Sequence, residues 1–146
     1  MHEVSPERTG WRCEKISRRH REWGYNCPAV DLDFLVAEYN HGKPVALVEY
    51  KDIHARQPDL RHPTYKALIE LANNYAPGPL PFLIAFYDPE TWRFRITPMN
   101  AAAVAHSGHV AEQWIPEQRF VRGLYLLRKK VLSTEDEQAI ARLNAP

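Results

Sequence analysis

Apolar and polar positions change period several times along the chain, and each change marks a boundary between elements. From about Trp11 to Trp23 the residues are mostly helix formers, with Ile16 and Trp23 as apolar anchors and Gly24 as a stop, which predicts a helix. The run AVDLDFLVAEY is rich in β-branched and aromatic residues, NHGK is turn-like, and PVALVEYK resumes the strand pattern. Together they predict a β-hairpin. After the loop DIHARQPDLRHP, apolar positions Tyr65, Leu68, Ile69, Leu71 and Ala72 follow helical spacing between Thr64 and Tyr75. Pro77, Gly78, Pro79 and Pro81 end that helix. PFLIAFY is a continuous apolar run of the buried-strand type, followed by the turn DPET and the strand WRFRITPM. The alanines after Asn100 predict a short helix or a loop. A helix is expected from about Glu117 to Val131 and a last one after Ser133, where Thr134 and Glu137 have capping-box spacing.

The order is helix, hairpin, helix, hairpin, helices, which predicts an α/β (α+β) fold: a central mixed sheet flanked by helices. At 146 residues the chain fits one domain, 1–146, able to bury a core without disulfides or structural metal. The expected core spans about 13–97, with a C-terminal helical extension at about 115–146. No apolar run approaches the length of a membrane span, and the N-terminus lacks the apolar segment of a signal peptide. Two cysteines, Cys13 and Cys27, do not form a disulfide framework, so a reducing, cytoplasmic setting is the simplest expectation. A net charge of +1 does not announce a nucleic-acid binder, but the charge is uneven. Arg8, Arg12, Lys15, Arg18, Arg19 and Arg21 crowd the N-terminal segment, and Arg128, Lys129 and Lys130 form a second cluster.

The candidate chemistry lies in DLDFLVAEYNHGKPVALVEYK, where Asp31 and Asp33 open an otherwise apolar strand and Glu49 and Lys51 close the next. Ionised groups beside such a core are costly unless they face solvent or share a cation. With His41, Gly42 and Lys43 as the loop, Asn40 pairs with Pro44, Asp33 lies opposite Lys51, and Glu49 is its diagonal neighbour on the same face. Asp31 would then face Ile53. A two-residue loop would instead pair Asp33 with Tyr50 and turn it away from Glu49. Two carboxylates converging beside an ammonium make a hard-cation site suited to Mg²⁺ or Mn²⁺. Such an ion polarises a phosphoryl oxygen and activates water, while Lys51 orients that water or stabilises developing charge.

The spacing D-x15-E-x-K, carried by Asp33, Glu49 and Lys51, resembles the second and third motifs of the PD-(D/E)xK (restriction-endonuclease-like) nucleases. EKISRRHREWGYN is similar to that family's first helix, HPTYKALIELANNY to the helix after the E-x-K strand, and PFLIAFY to the strand that follows. The resemblance covers roughly residues 13 to 97. The literal Pro-Asp is absent, since Pro28 stands three residues before Asp31. The resemblance implies an αβββαβ core and metal-dependent hydrolysis of phosphodiester bonds, in DNA rather than RNA. It also implies metal held by Asp33, Glu49 and the backbone carbonyl of Tyr50, with Lys51 acting on the attacking water. Glu14 occupies the place of the first-helix glutamate that can reach the metal, ahead of Glu22, and Asp31 is a second candidate aspartate. Tyr65 and Lys66 stand where that family's second helix approaches the scissile phosphate. Arg18, Arg19 and Arg21 are the expected phosphate contacts, and a homodimer or a protein partner would help so small a domain grip a duplex.

Plainer readings stand beside these. Asp33, Glu49 and Lys51 could form a strand-end ion pair contributing about 0–1 kcal/mol, on a fold that only binds nucleic acid or a protein. Tyr65 reads as a core aromatic and Lys66 as a surface lysine. His106 and His109 have H-x-x-H spacing, but nothing completes a zinc set. Trp92, Arg93, Phe94 and Arg95 alternate aromatic and basic residues that could stack bases and touch phosphates, and the plainer account is a strand with one face buried and one wet. No Gly-rich phosphate loop and no G-x-S-x-G elbow is present.

Overall fold

The computed structural model describes residues 14–23, 32–128 and 131–143. The chain forms two compact units, Met1–Asp31 and Leu32–Pro146. The first contributes helix α1 (Glu14–Glu22). Ile16 and Trp23, the expected apolar anchors, are half exposed, at 49% and 51%. Gly24 and both cysteines lie outside the described residues.

In the second unit the elements run β1 (Phe34–Glu38), β2 (Lys43–Asp52), α2 (Pro63–Asn73), β3 (Phe82–Tyr87), β4 (Arg93–Pro98), α3 (Ala101–Ser107), β5 (Trp114–Pro116), α4 (Glu117–Arg128) and α5 (Thr134–Ala141). The five strands form one mixed sheet in the order β1-β2-β3-β4-β5. Only β2 and β3 are parallel; every other neighbouring pair is antiparallel. A parallel pair needs a crossover, and α2 supplies it. The fold is therefore α+β, a mixed sheet flanked by helices. The αβββαβ order implied three strands ahead of α2, whereas the described residues hold two there, residues 24–31 lying outside them. Among the described residues no helix is long and apolar enough to cross a membrane.

Alternation along the strands divides the core into two layers. On one face Leu47, Phe82, Ile84 and Phe86 pack against Tyr65, Leu68 and Ala72 of α2. On the other Val48, Leu83, Ala85, Phe94 and Ile96 pack against Ala103 of α3 and Phe120 of α4. Burial on both faces explains why β3 reads as unbroken apolar sequence. β5 carries no such signal because three residues are too few to show alternation; its pairing with β4 defines it. The last helix is capped one residue earlier than expected. Ser133 Oγ accepts from the Asp136 N–H at 3.1 Å, and Asp136 accepts from the Ser133 N–H at 2.9 Å. Glu137, relieved of capping, pairs instead with Arg122 of α4.

One polar side chain joins three elements. Asn100 Oδ1 accepts from the N–H groups of Phe82 (3.1 Å) and Ala103 (3.0 Å). Its Nδ2 donates to Leu80 O (2.8 Å) and to Asn73 Oδ1 (3.0 Å). Asn100 thus caps α3, receives the first N–H of β3 and meets the last residue of α2.

Tyr50 lies on the α4 side of β2, edge-on to Phe34, Tyr87 and Phe120 at ring-centroid distances of 5.0, 6.4 and 6.2 Å. Burial there pushes its phenol up to about 12. The folded value exceeds the unfolded one, near 10, so the associated stability is complete below about pH 10 and is lost as pH rises toward 12. Two units correspond to about 3 kcal/mol. Tyr50→Phe is expected to match the wild type near pH 8 in urea unfolding and to exceed it by about 1 kcal/mol at pH 11. Equal alkaline loss in both proteins would show that Tyr50 titrates as an ordinary exposed phenol.

Candidate active site

The sequence pattern of β2 changes from apolar to polar along one face: Leu47 is buried under α2, and Glu49 and Lys51 follow on the same side. Glu49 is only 7% exposed, and Lys51 is half-buried. Which face Asp33 shares depends on the hairpin. The turn is Tyr39–Gly42, a 3₁₀ turn closed by Gly42 at φ +61°, so Glu38 pairs with Lys43 and not Asn40 with Pro44. Gly42 is left-handed, a conformation that glycine adopts without a Cβ clash. Continued unbroken, that register would set Asp33 across from Val48, on the opposite face from Glu49. The pairing slips once, between Val36↔Ala46 and Ala37↔Pro44, leaving Val45 as one extra residue in β2. Phe34 consequently pairs with Val48, and one step further Asp33 comes opposite Glu49. The expected partner, Lys51, is instead the diagonal neighbour. The bulge restores the shared face that the longer turn would have lost.

All three residues lie beside the start of β1. Lys51 Nζ lies 3.6 Å from Glu49 Oε1. Asp33 Oδ2 accepts from the backbone N–H of Tyr50 at 3.3 Å. The N–H groups of Leu47 and Ile53 bond to Pro81 O and Tyr87 O on the β3 side, so the N–H and C=O of Tyr50 face the β1 side. There β1 starts only at Phe34, and the Asp33 carboxylate fills the place a further strand residue would take. Burial draws the Lys51 ammonium down, but the phenol of Tyr65, Glu49 and Asp33 together outweigh it and hold its pKa above the ordinary lysine value. Lys51 is therefore a cation at neutral pH, able to donate hydrogen bonds and balance negative charge but not to take up a proton. Tyr65, buried on α2, lies close enough to Lys51 to help raise its pKa and so is both core aromatic and site residue. A β-strand lysine and the third residue of a helix after a ten-residue loop carry no spacing that announces this contact.

No protein-family model, no curated protein and no solved structure matches the chain.

Two carboxylates against one ammonium leave a net negative site of oxygen donors, a composition that suits a hard dication retaining several waters. Asp33, Glu49 and the Tyr50 carbonyl are the groups that could hold it. Among the described residues no three His, Cys, Asp or Glu side chains converge on one point, so these residues supply two carboxylates and not a complete cage. Mg²⁺ typically takes one or two carboxylates and fills its remaining positions with water and phosphate. Asp31 and the side chain of Glu14, the other expected ligands, lie outside the described residues, as does the side chain of Arg21. Arg18 and Arg19 are exposed on α1, and Arg19 pairs with Glu22 at 3.2 Å. Lys66 is exposed on α2, next in sequence to Tyr65. His106 is held below the ordinary histidine value by burial and by His109.

Proposed function

We propose that this chain is a metal-dependent phosphodiesterase of the PD-(D/E)xK kind that hydrolyses the backbone of DNA, and less readily RNA. The observation that carries the reading is the convergence of Asp33, Glu49 and Lys51 on one sheet face, with the Tyr50 backbone turned to the same edge. Asp33, Glu49 and the Tyr50 carbonyl would hold Mg²⁺ or Mn²⁺. The bound cation supplies Lewis acidity toward the phosphoryl group and a more acidic water. Lys51 keeps its proton; it orients the attacking water and offsets charge that grows on the phosphoryl oxygens. Tyr65 is a positioning residue that fixes the Lys51 ammonium. The basic residues Arg18, Arg19, Arg21 and Lys66 would contact phosphates of the substrate, an interaction that weakens with salt. A cytoplasmic location and action as a homodimer or beside a protein partner belong to the same proposal.

The direct test is cleavage of labelled DNA in the presence of Mn²⁺. Metal binding has its own readout. At about 100 times its dissociation constant Mn²⁺ should add roughly 2.7 kcal/mol of stability and raise Tm by several degrees. Asp33→Ala and Glu49→Ala should abolish that gain. An equal rise in both variants would place the ion elsewhere.

A further inference from the structure

The sheet face that carries Asp33, Glu49 and Lys51 has a second polar flank. Pairing runs from Lys51 to Phe86, from Phe86 to Arg95 and from Arg95 to Trp114, so one lateral row crosses β2, β3, β4 and β5. Paired residues share a face, so these four side chains stand on the same side. In the neighbouring row Glu49, Ile84 and Thr97 do likewise. In both rows the β3 residue is a buried apolar side chain. Polar groups therefore bracket a hydrophobic ridge, with the candidate active site on one side and Arg95, Thr97 and Trp114 on the other.

Arg95 is held by rings more than by acceptors. Its guanidinium carbon lies 4.5 Å from the Phe86 ring centroid and 5.6 Å from that of Trp114. Its ion pair with Glu112 is loose, at 3.7 Å, and Glu112 makes a tighter contact with Thr97 Oγ1, at 2.6 Å. A guanidinium has five N–H donors; the Nε of Arg95 is buried and makes no hydrogen bond to any described residue, so the terminal NH₂ groups are the ones left to meet a ligand, and one of them already faces Glu112. Beside it Trp114 is 42% exposed on β5, a terminal strand of the sheet. An open indole next to an under-coordinated cation is the pairing that holds single strands: bases stack on the ring and the backbone meets the charge. Bases in a duplex are stacked on one another and offer no free face.

We propose that Arg95 and Trp114 form a subsite for single-stranded nucleic acid, in which a base stacks on Trp114 and an adjoining phosphate meets Arg95. From the inter-strand spacing, Arg95 stands about 10 Å and Trp114 about 14 Å from Lys51 along the row. Phe86 between them is covered by α2, so a strand seated on Arg95 and Trp114 passes around that helix to reach the active site, a direction that rests on the nuclease reading, whereas the binding itself does not.

The test is anisotropy of a labelled oligothymidylate and of a duplex of equal length, in EDTA so that neither is cut, with the full chain. Trp114→Ala should weaken single-strand binding about tenfold, and Trp114→Phe should keep it within about threefold because the stacking surface remains. Arg95→Gln should weaken it and reduce the slope of log Kd against log salt by about 0.7. Trp92→Phe, at an exposed ring stacked on Tyr87, is the control and should bind as the wild type does. Unchanged binding by folded Trp114→Ala would overturn the subsite, as would equal loss of duplex and single-strand binding. Should Arg95→Gln fail to fold, the two Trp114 variants decide. The nuclease reading fails separately. Trp114-dependent binding by a chain that never cuts leaves the subsite standing, while Lys51-dependent cutting with binding indifferent to Trp114 removes the subsite alone.

Discussion

Lys51→Ala is expected to lower Mn²⁺-dependent cleavage of DNA by about 100- to 1,000-fold while leaving the chain folded. The reasoning starts from charge. Lys51 is the cation of a site with two carboxylates, and Glu49, Asp33 and Tyr65 keep it protonated. Its loss removes the fixed donor beside Glu49 that can follow charge onto a phosphoryl oxygen, an interaction that strengthens in the transition state. The effect should fall on kcat more than on KM. Glu49→Ala should lose at least as much, because it removes a proposed cation ligand as well as the partner of Lys51 at 3.6 Å. Labelled single-stranded, duplex and branched DNA, incubated with Mn²⁺ and each protein, gives the answer and the preferred substrate form together. Cutting by the wild type alone supports the nuclease. No cutting by the wild type, or equal cutting by the variants, removes the catalytic reading and leaves a fold that binds without cleaving.

The second large effect is on stability. Asn100→Ala is expected to destabilise the chain by about 3 kcal/mol, combining loss of an N-cap with buried backbone groups left unsatisfied. The α3 cap accounts for about 1 kcal/mol. The rest comes from the N–H of Phe82 and the C=O of Leu80, which lose their partners where the residue is 9% exposed. Asn100→Asp separates the two parts. It keeps the acceptor for Phe82 and Ala103 but places a carboxylate against Leu80 O and Asn73 Oδ1. Asn100→Asp should therefore also be destabilised at neutral pH and recover as pH falls and the carboxyl gains a proton to donate. Urea unfolding at pH 7 and pH 4 measures both variants. A loss under about 1 kcal/mol for Asn100→Ala would reduce Asn100 to a simple cap.

Much of the framework was legible in the chain. The period-two pattern of PVALVEYK, the helical spacing of Tyr65, Leu68 and Ala72, and the unbroken apolar run PFLIAFY each reflect burial that the structure realises. Those signals are local, since a strand or helix facing a core must write its period into adjacent residues. β5 was not legible, because its three residues are a strand only by virtue of β4 beside them. The capping residue of α5 was misplaced by one because S-x-x-D and T-x-x-E overlap in LSTEDE. The choice fell to Glu137, which pairs with Arg122 across the α4–α5 contact. Asn100 gave no sign of its four hydrogen bonds, whose partners lie three to 27 residues away. The alternation of Trp92, Arg93, Phe94 and Arg95 is legible as a run able to stack bases and touch phosphates, but not its neighbours, since Phe86 and Trp114 reach Arg95 only through lateral pairing of separate strands.

What the sequence by itself determined is the inventory of the candidate site and its strand: two acidic residues and a lysine at the ends of adjacent apolar segments, in an α+β order of elements. What only the tertiary structure decided is whether Asp33 and Glu49 share a face. Strand side chains alternate with a period of two, so a single residue in the hairpin is enough to reverse the answer. The turn at Tyr39–Gly42 is longer by one residue than the expected loop and begins two residues earlier, and the extra Val45 in β2 corrects the parity it disturbs. Neither feature is fixed by the residues nearest to it. A bulge is set by the packing of both strand faces and by the partner strand, and that packing exists only once the sheet has formed.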